Sequence, residues 1–222
     1  MLTLAVDTTA EFGSIALAND SGILEEVLLH ETAGFSAMLF GQIEALLHRQ
    51  EISLADIGLF AGASGPGSFT GVRVGLAAIK GLAEVLGKPA TAVSNLEALA
   101  SFGTAEARAT VIDARRGEIY GALYDAEGHA TIEESVIAFP GFLALLGNRQ
   151  IEWLCADFAP FAPAITGTPF ANMPVTTTPR ALAGAVAGIA LERFKAGAPC
   201  HAAAIEANYV RRSDAELLWK SI

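Results

Sequence analysis

Apolar positions along this chain follow two periods, and the switches between them mark its elements. Leu2 to Val6 is a short apolar run ending at Asp7-Thr8-Thr9, the pattern of a buried strand. Gly13 to Ala18 predicts its hairpin partner, and Ile23 to Leu29 predicts a third strand after the Asn19-Asp20-Ser21-Gly22 turn. Ser36 to Arg49 places Leu39, Ile43, Leu46 and Leu47 on one helical face, with Ser36 as the expected N-cap. A strand follows from Ile57, then a glycine-rich run, then a helix over Val72 to Val85. Pro89 to Val93 reads as a strand, and Ser94 opens a helix reaching to Ser101.

The pattern then restarts. Thr110-Val111-Ile112-Asp113 is a strand ending in Asp, Ala114-Arg115-Arg116-Gly117 is a turn, and Glu118 to Tyr124 is the return strand. The order of strand, Asp, polar turn and hairpin partner thus occurs twice. It predicts two related α/β subdomains, residues 1–105 and 106–222. Further on come a helix near Pro140 to Leu146, a strand over Trp153 to Ala156 and a helix over Arg180 to Lys195. The Pro- and Thr-rich Gly167 to Pro179 reads as a surface loop, and Ile205 to Ile222 has mixed character.

Composition narrows the function classes. The 222 residues are 52% hydrophobic, which excludes a disordered chain. No apolar stretch reaches the roughly 18 residues of a membrane span, and the start lacks the basic region of a signal peptide. Two cysteines, Cys155 and Cys200, point to a reducing cytoplasm. A net charge of −10 makes the chain a poor phosphate-backbone binder on its own, so any RNA is expected on a more basic partner.

The chemistry-bearing motifs are incomplete. Gly62 and Gly67 have phosphate-loop spacing, but Ser68 stands where such a loop needs Lys. The alternative is a tight strand-to-helix turn that needs glycine. Gly62-Ala63-Ser64-Gly65 begins a nucleophile elbow that Pro66 breaks. No metal-binding spacing of His and Cys occurs. Asp7, Thr8, Thr9 and Asp113 lie at strand ends and are the candidate nucleotide-facing residues, against the alternative that Asp and Thr cap turns.

Val72 to Val85 carries only a narrow charged stripe, Arg73, Lys80 and Glu84. Gly71, Gly75 and Ala78 lie close together and would admit another helix. Met38, Gly41 and Ala45 form a second soft surface on the first helix. Two readings stand side by side: a partner covers these helices, or they are buried in their own domain.

Four segments carry a family resemblance. They are Asp7-Thr8-Thr9, the run from Gly65 to Gly75, Ala78 to Ala83, and Asp113-Ala114-Arg115-Arg116-Gly117-Glu118-Ile119-Tyr120. They resemble the TsaB family over residues 1 to about 125. The resemblance implies a duplicated α/β fold of the actin-like, sugar kinase/Hsp70-like and RNase H-like class. It implies a non-catalytic subunit needed to place threonylcarbamoyl on N6 of adenosine 37 in tRNAs reading ANN codons. The catalytic relative, TsaD, holds a metal with a His pair; Asn95 and Leu99 align with that pair here, so the metal chemistry is expected to be lost.

The resemblance also implies the partners. A TsaD-type transferase would pair through helices 36–49 and 72–85, placing Met38, Gly41, Ala45, Gly71, Arg73, Gly75, Ala78 and Lys80 at the interface. A TsaE-type ATPase would join that pair, the chain alone would form a homodimer, and tRNA would be reached only through the complex. No cofactor is expected on this chain by itself, with ATP a candidate at the partner interface. Two departures from the family are visible: the first helix opens Phe35-Ser36 and carries Leu39-Phe40-Gly41, where His-Ser and Leu-Leu-Pro are common. The competing reading is a stand-alone nucleotide-dependent kinase or carbamoyltransferase using Asp7 and Asp113. A glycoprotease, the older label for this superfamily, lacks a metal pair or triad here.

Overall fold

The computed structural model describes residues 1–32 and 34–210. The sequence stretch past Val210, including Arg211-Arg212, lies outside the described residues. Two compact units are present: Met1–Ala98 with Arg180–Asn208, and a second built on Leu99–Pro179.

The first unit holds β1 (Thr3–Asp7), β2 (Phe12–Asn19), β3 (Gly22–His30), α1 (Leu39–Arg49), β4 (Leu59–Ala63), α2 (Phe69–Leu86) and β5 (Ala90–Val93). α3 (Asn95–Ala100) follows. The second unit contributes β6 (Arg108–Asp113), β7 (Glu118–Tyr124), β8 (Ala130–Ala138), α4 (Phe139–Leu146), β9 (Glu152–Cys155), α5 (Ala162–Ile165) and β10 (Val175–Thr177). α6 (Ala183–Lys195) returns to the first.

Each unit has one five-stranded sheet, ordered β3-β2-β1-β4-β5 and β8-β7-β6-β9-β10. In both, the first three strands are antiparallel and the last two join in parallel. The duplication inferred from two strand-Asp-hairpin patterns is therefore complete at the level of topology.

The division of residues differs from the expected 105/106 boundary. Residues 180–208, grouped with the second half by sequence order, pack in the first unit. The cause is visible at the helix start. α6 has no side-chain cap of its own; instead Ser14 Oγ on β2 accepts from Leu182 N and Ala183 N at 3.0 and 2.9 Å. Glu26 Oε1 on β3 accepts from Gly184 N at 2.7 Å. These sheet side chains satisfy donors that a helix N-terminus leaves open.

Strand alternation sorts the two faces of the first sheet. Leu4, Val6, Ile15 and Leu17 face α1 and α2. Ala5, Ala16, Ala18 and Ala61 face α6, and these short side chains admit a close approach. Helix α2 begins at Phe69 because Ser68 caps it, its Oγ accepting from Gly71 N. Gly87, at φ 61°, ends it in the left-handed conformation. Helix α1 begins at Leu39, not at Ser36. Phe35–Ala37 forms a separate 3-10 turn, and Met38 is the N-cap without a side-chain bond. Phe35 is drawn into the core against Gly13, which pulls the chain out of helical register.

Two strands escaped the sequence pattern. β8 is half-exposed along its length, and β10 is three residues inside the Pro- and Thr-rich segment, formed by parallel pairing with β9.

Candidate functional site

The glycine run meets the end of β1. Asp7 Oδ1 accepts from the backbone N–H and the hydroxyl of Thr9, at 2.9 and 2.7 Å. Asn95, at the start of α3, donates through Nδ2 to Thr9 Oγ1 at 2.8 Å and to Asp7 Oδ2 at 3.3 Å. Its Oδ1 accepts from Gly65 N at 2.9 Å. All four residues lie in the interior: Asp7, Thr9 and Asn95 are 2%, 3% and 2% exposed, and Gly65 is buried. Burial pushes the Asp7 carboxyl above the ordinary carboxylate range, against the opposing pull of the Thr9 and Asn95 donors.

The loop itself is closed by the same strand end. Ser68 N donates to Thr9 O at 2.6 Å, and Thr8 Oγ1 donates to Gly71 O at 2.7 Å. A Cβ on Gly67 would strike Thr9 O, and one on Gly71 would strike Thr8 O. A Cβ on Gly75 would lie 2.5 Å from Thr8 Oγ1. These glycines are therefore required by close packing of β1 against α2. Where a phosphate loop would present Ser68 N–H to an anion, the Thr9 carbonyl already occupies that donor.

Several expected site residues consequently turn inward. Gly75 and Ala78 are buried in the first unit's core, and Gly71 packs on Thr8, so these three do not form an outward docking face. Lys80 is half-buried and donates to Ile205 O at 3.0 Å within the same unit. Asp7, Thr8 and Thr9 are buried, and their side chains are bonded to one another, to Asn95 and to the glycine loop. Asp113 is exposed, its Oδ1 accepting from Arg115 N at 2.8 Å in a local turn. Leu99 is buried and supplies no donor. With Asn95 turned to Gly65, Asp7 and Thr9, the residues at the aligned His positions do not fit a metal.

The remaining expected interface residues do face outward or sit at the edge. Arg73 and Gly41 are exposed, and Met38 and Ala45 are half-buried. Beside them the structure adds residues that the spacing argument passed over: Phe40 is 56% exposed and Val85 is 85% exposed. Both helices pack on one face of the same sheet. Large exposed apolar side chains are the signal that could have found them.

A family model described as TsaD: tRNA N6-adenosine threonylcarbamoyltransferase matches residues 31–216. The tRNA threonylcarbamoyladenosine biosynthesis protein TsaB of Bacillus subtilis is 35% identical over 126 residues, 56% of this chain and 55% of that protein. The chain belongs to the TsaB/YeaZ family, within the TsaD-related domain. A Pseudomonas aeruginosa structure described as similar to peptidase YEAZ superposes with a TM-score of 0.80 at 25% identity, covering 95% of this chain and 99% of that one. An activator of 2-hydroxyisocaproyl-CoA dehydratase from Clostridium difficile, with bound ADPNP, superposes at 0.52 with 11% identity, covering 89% and 97%; this likeness concerns the fold alone. The fold is the duplicated actin-like, RNase H-like α/β fold. The chain spans about half the length of the curated TsaB relatives it matches. Within the TsaB family frame, Asn95 acquires a physical role: an amide cross-link stands at the position aligned with a metal ligand.

Proposed function

We propose that this chain is a non-catalytic subunit in threonylcarbamoylation of N6 of adenosine 37 in tRNAs reading ANN codons. It binds and activates a TsaD-type transferase, and a TsaE-type ATPase joins the pair. The observation that carries this reading is the closed strand end. Asp7, Thr8, Thr9 and Asn95 spend their polar groups on the glycine loop and on one another, so no nucleophile, base or phosphate cradle is presented there. The outward sides of α1, with Phe40 and Gly41, and of α2, with Arg73 and Val85, support a partner-binding role. The −10 charge supports leaving tRNA contact to the partners. ATP, where the reaction uses it, belongs to the assembly.

The test is reconstitution of tRNA modification from a TsaD-type transferase, a TsaE-type ATPase and the adenylate-forming enzyme. Product should form only when this chain is added, and the chain alone should make none. Full modification without it, or nucleotide turnover by the isolated chain, would overturn the reading.

A further inference from the structure

The turn between β6 and β7 breaks a local rule that its fold does not ask it to break. Arg115, Arg116 and Gly117 have φ of 65°, 56° and 77°, three left-handed residues in a row. Glu118 N donates to Arg115 O at 3.0 Å, which closes a turn over Arg116 and Gly117. A turn with positive φ at both central positions favours Asn-Gly or Asp-Gly. Arg116 stands where Asn is preferred, and Arg115 adds a second non-glycine residue in the same costly conformation. Both side chains are exposed, so burial does not call for them. The bonds that shape the turn use backbone groups of these residues. Asp113 Oδ1 accepts from Arg115 N at 2.8 Å, and Ala114 N donates to Glu118 O at 3.0 Å. An Asn-Gly turn would keep the same bonds. Among the described residues, the Arg115 guanidinium meets no carboxylate. Strained residues of this kind cluster where a ligand is held.

The chemistry of the tip indicates the ligand. Guanidinium groups take phosphate oxygens with two parallel N–H bonds. Arg115 and Arg116 are the only adjacent basic residues among the described residues, so the pair stands out in a chain of net charge −10. A free nucleotide needs backbone N–H groups around its phosphates. Here Arg115 N is taken by Asp113 and Glu118 N by Arg115 O. Asp113 and Glu118 also flank the tip and confine its positive field. An exposed hairpin tip with two side-chain forks suits singly charged phosphates passing over it. We infer that the Arg115-Arg116 turn contacts the phosphodiester backbone of RNA, once the transferase has brought the tRNA alongside. The inference rests on the proposed function, which supplies the RNA. The acidic chain by itself stays a poor RNA binder; the partner provides most of the affinity, and this turn adds one or two phosphate contacts.

Fluorescence anisotropy of a labelled tRNA reading an ANN codon tests this. Binding is measured to a TsaD-type transferase alone and with the full chain, at several salt concentrations. Adding the wild-type chain should tighten binding. The double variant R115Q/R116N should raise the Kd about threefold to tenfold and flatten the slope of log K against log salt by about 1 to 2. R115K/R116K should keep the slope, because Lys retains the charge. The urea midpoint of R115Q/R116N should equal or exceed that of wild type, since Asn relieves the turn, so weaker binding is separated from lost folding. A wild-type chain that adds no affinity, or a double variant with unchanged Kd and slope, overturns the inference. Loss of transferase binding in sedimentation also overturns it and makes the turn a protein contact. Weaker ATP binding by the assembly with tRNA affinity intact overturns it in favour of a nucleotide contact. A chain dispensable for tRNA modification that still adds Arg115-dependent affinity removes the proposed function and leaves this inference intact. A required chain whose double variant binds tRNA normally does the reverse.

Discussion

Asn95 holds both backbone polar groups of Gly65, thirty residues before it: its Oδ1 accepts from Gly65 N at 2.9 Å, and its own N–H donates to Gly65 O at 2.8 Å. The same side chain reaches Thr9 and Asp7. One amide thereby joins the end of β1, the glycine loop and the start of α3.

Asn95→Ala should therefore cost about 2–4 kcal/mol, because it strands Gly65 N–H in the interior and removes the amide donor to Thr9 Oγ1 and Asp7 Oδ2. Asn95→Asp should be worse near neutral pH than in acid, since it sets a second carboxylate beside Asp7. Urea unfolding of the three proteins at two pH values checks both statements. Equal stability of Asn95→Ala and wild type would show the network to be energetically idle.

Asp7 gives a pH signature with a definite sign. Its folded carboxyl lies above the ordinary value of 3.8. Its proton-linked stability is fully present below that value and is lost as pH rises through the raised folded one. The stability of wild type minus that of Asp7→Asn should fall with rising pH over this window. A difference that grows with pH would mean that the hydrogen bonds outweigh burial.

Adjacent residues on α2 should respond in opposite ways. Ala78 is 6% exposed in the core and Ala77 is exposed. Ala78→Glu should destabilise by about 3 kcal/mol or more, or unfold the chain. Ala77→Glu should stay folded and weaken docking of the proposed transferase partner. Thermal melts separate the two, and equal melting temperatures would reverse the assigned faces.

Two glycines of the same helix should diverge as well. Gly75→Ala must displace Thr8, so destabilisation of about 1–3 kcal/mol is expected. Gly81→Ala meets open space and should gain about 0.5–1 kcal/mol in the monomer. Denaturation at low protein concentration measures both.

Burial and the nearby Asp157 charge push the Cys155 thiol up to about 11. At pH 8 its thiolate fraction should be about a hundredfold below that of an ordinary thiol. Alkylation of folded Cys200→Ser protein should be slower by at least that factor and recover on unfolding. Rapid labelling of the folded protein would contradict the buried placement.

The strand-end chemistry was only half legible in sequence. Asp7-Thr8-Thr9 and the glycine run announced themselves, and the missing Lys argued against phosphate. The reason for the glycines was hidden, because Thr8 and Thr9 approach Gly67, Gly71 and Gly75 only once β1 and β4 pair. Gly71, Gly75 and Ala78 were equally consistent with a partner or a core. Burial on the folded helix assigns Gly75 and Ala78 to the core, sets Gly71 against Thr8, and leaves Ala77 and Gly81 outside. β8 and β10 were missed because neither has a buried face strong enough to impose alternation.

The sequence by itself determined the hairpins, the long helices and the repeat of strand, Asp and turn, since these depend on residues within a few positions of one another. Tertiary structure alone decided where α6 docks, because its N-terminal donors are met by Ser14 and Glu26, roughly 160 residues away in the chain. It also decided that Asn95 closes the strand end and which side of α2 remains outside. Local periodicity can state that a helix has an apolar side, but only the packed sheet determines which small residues that side must contain.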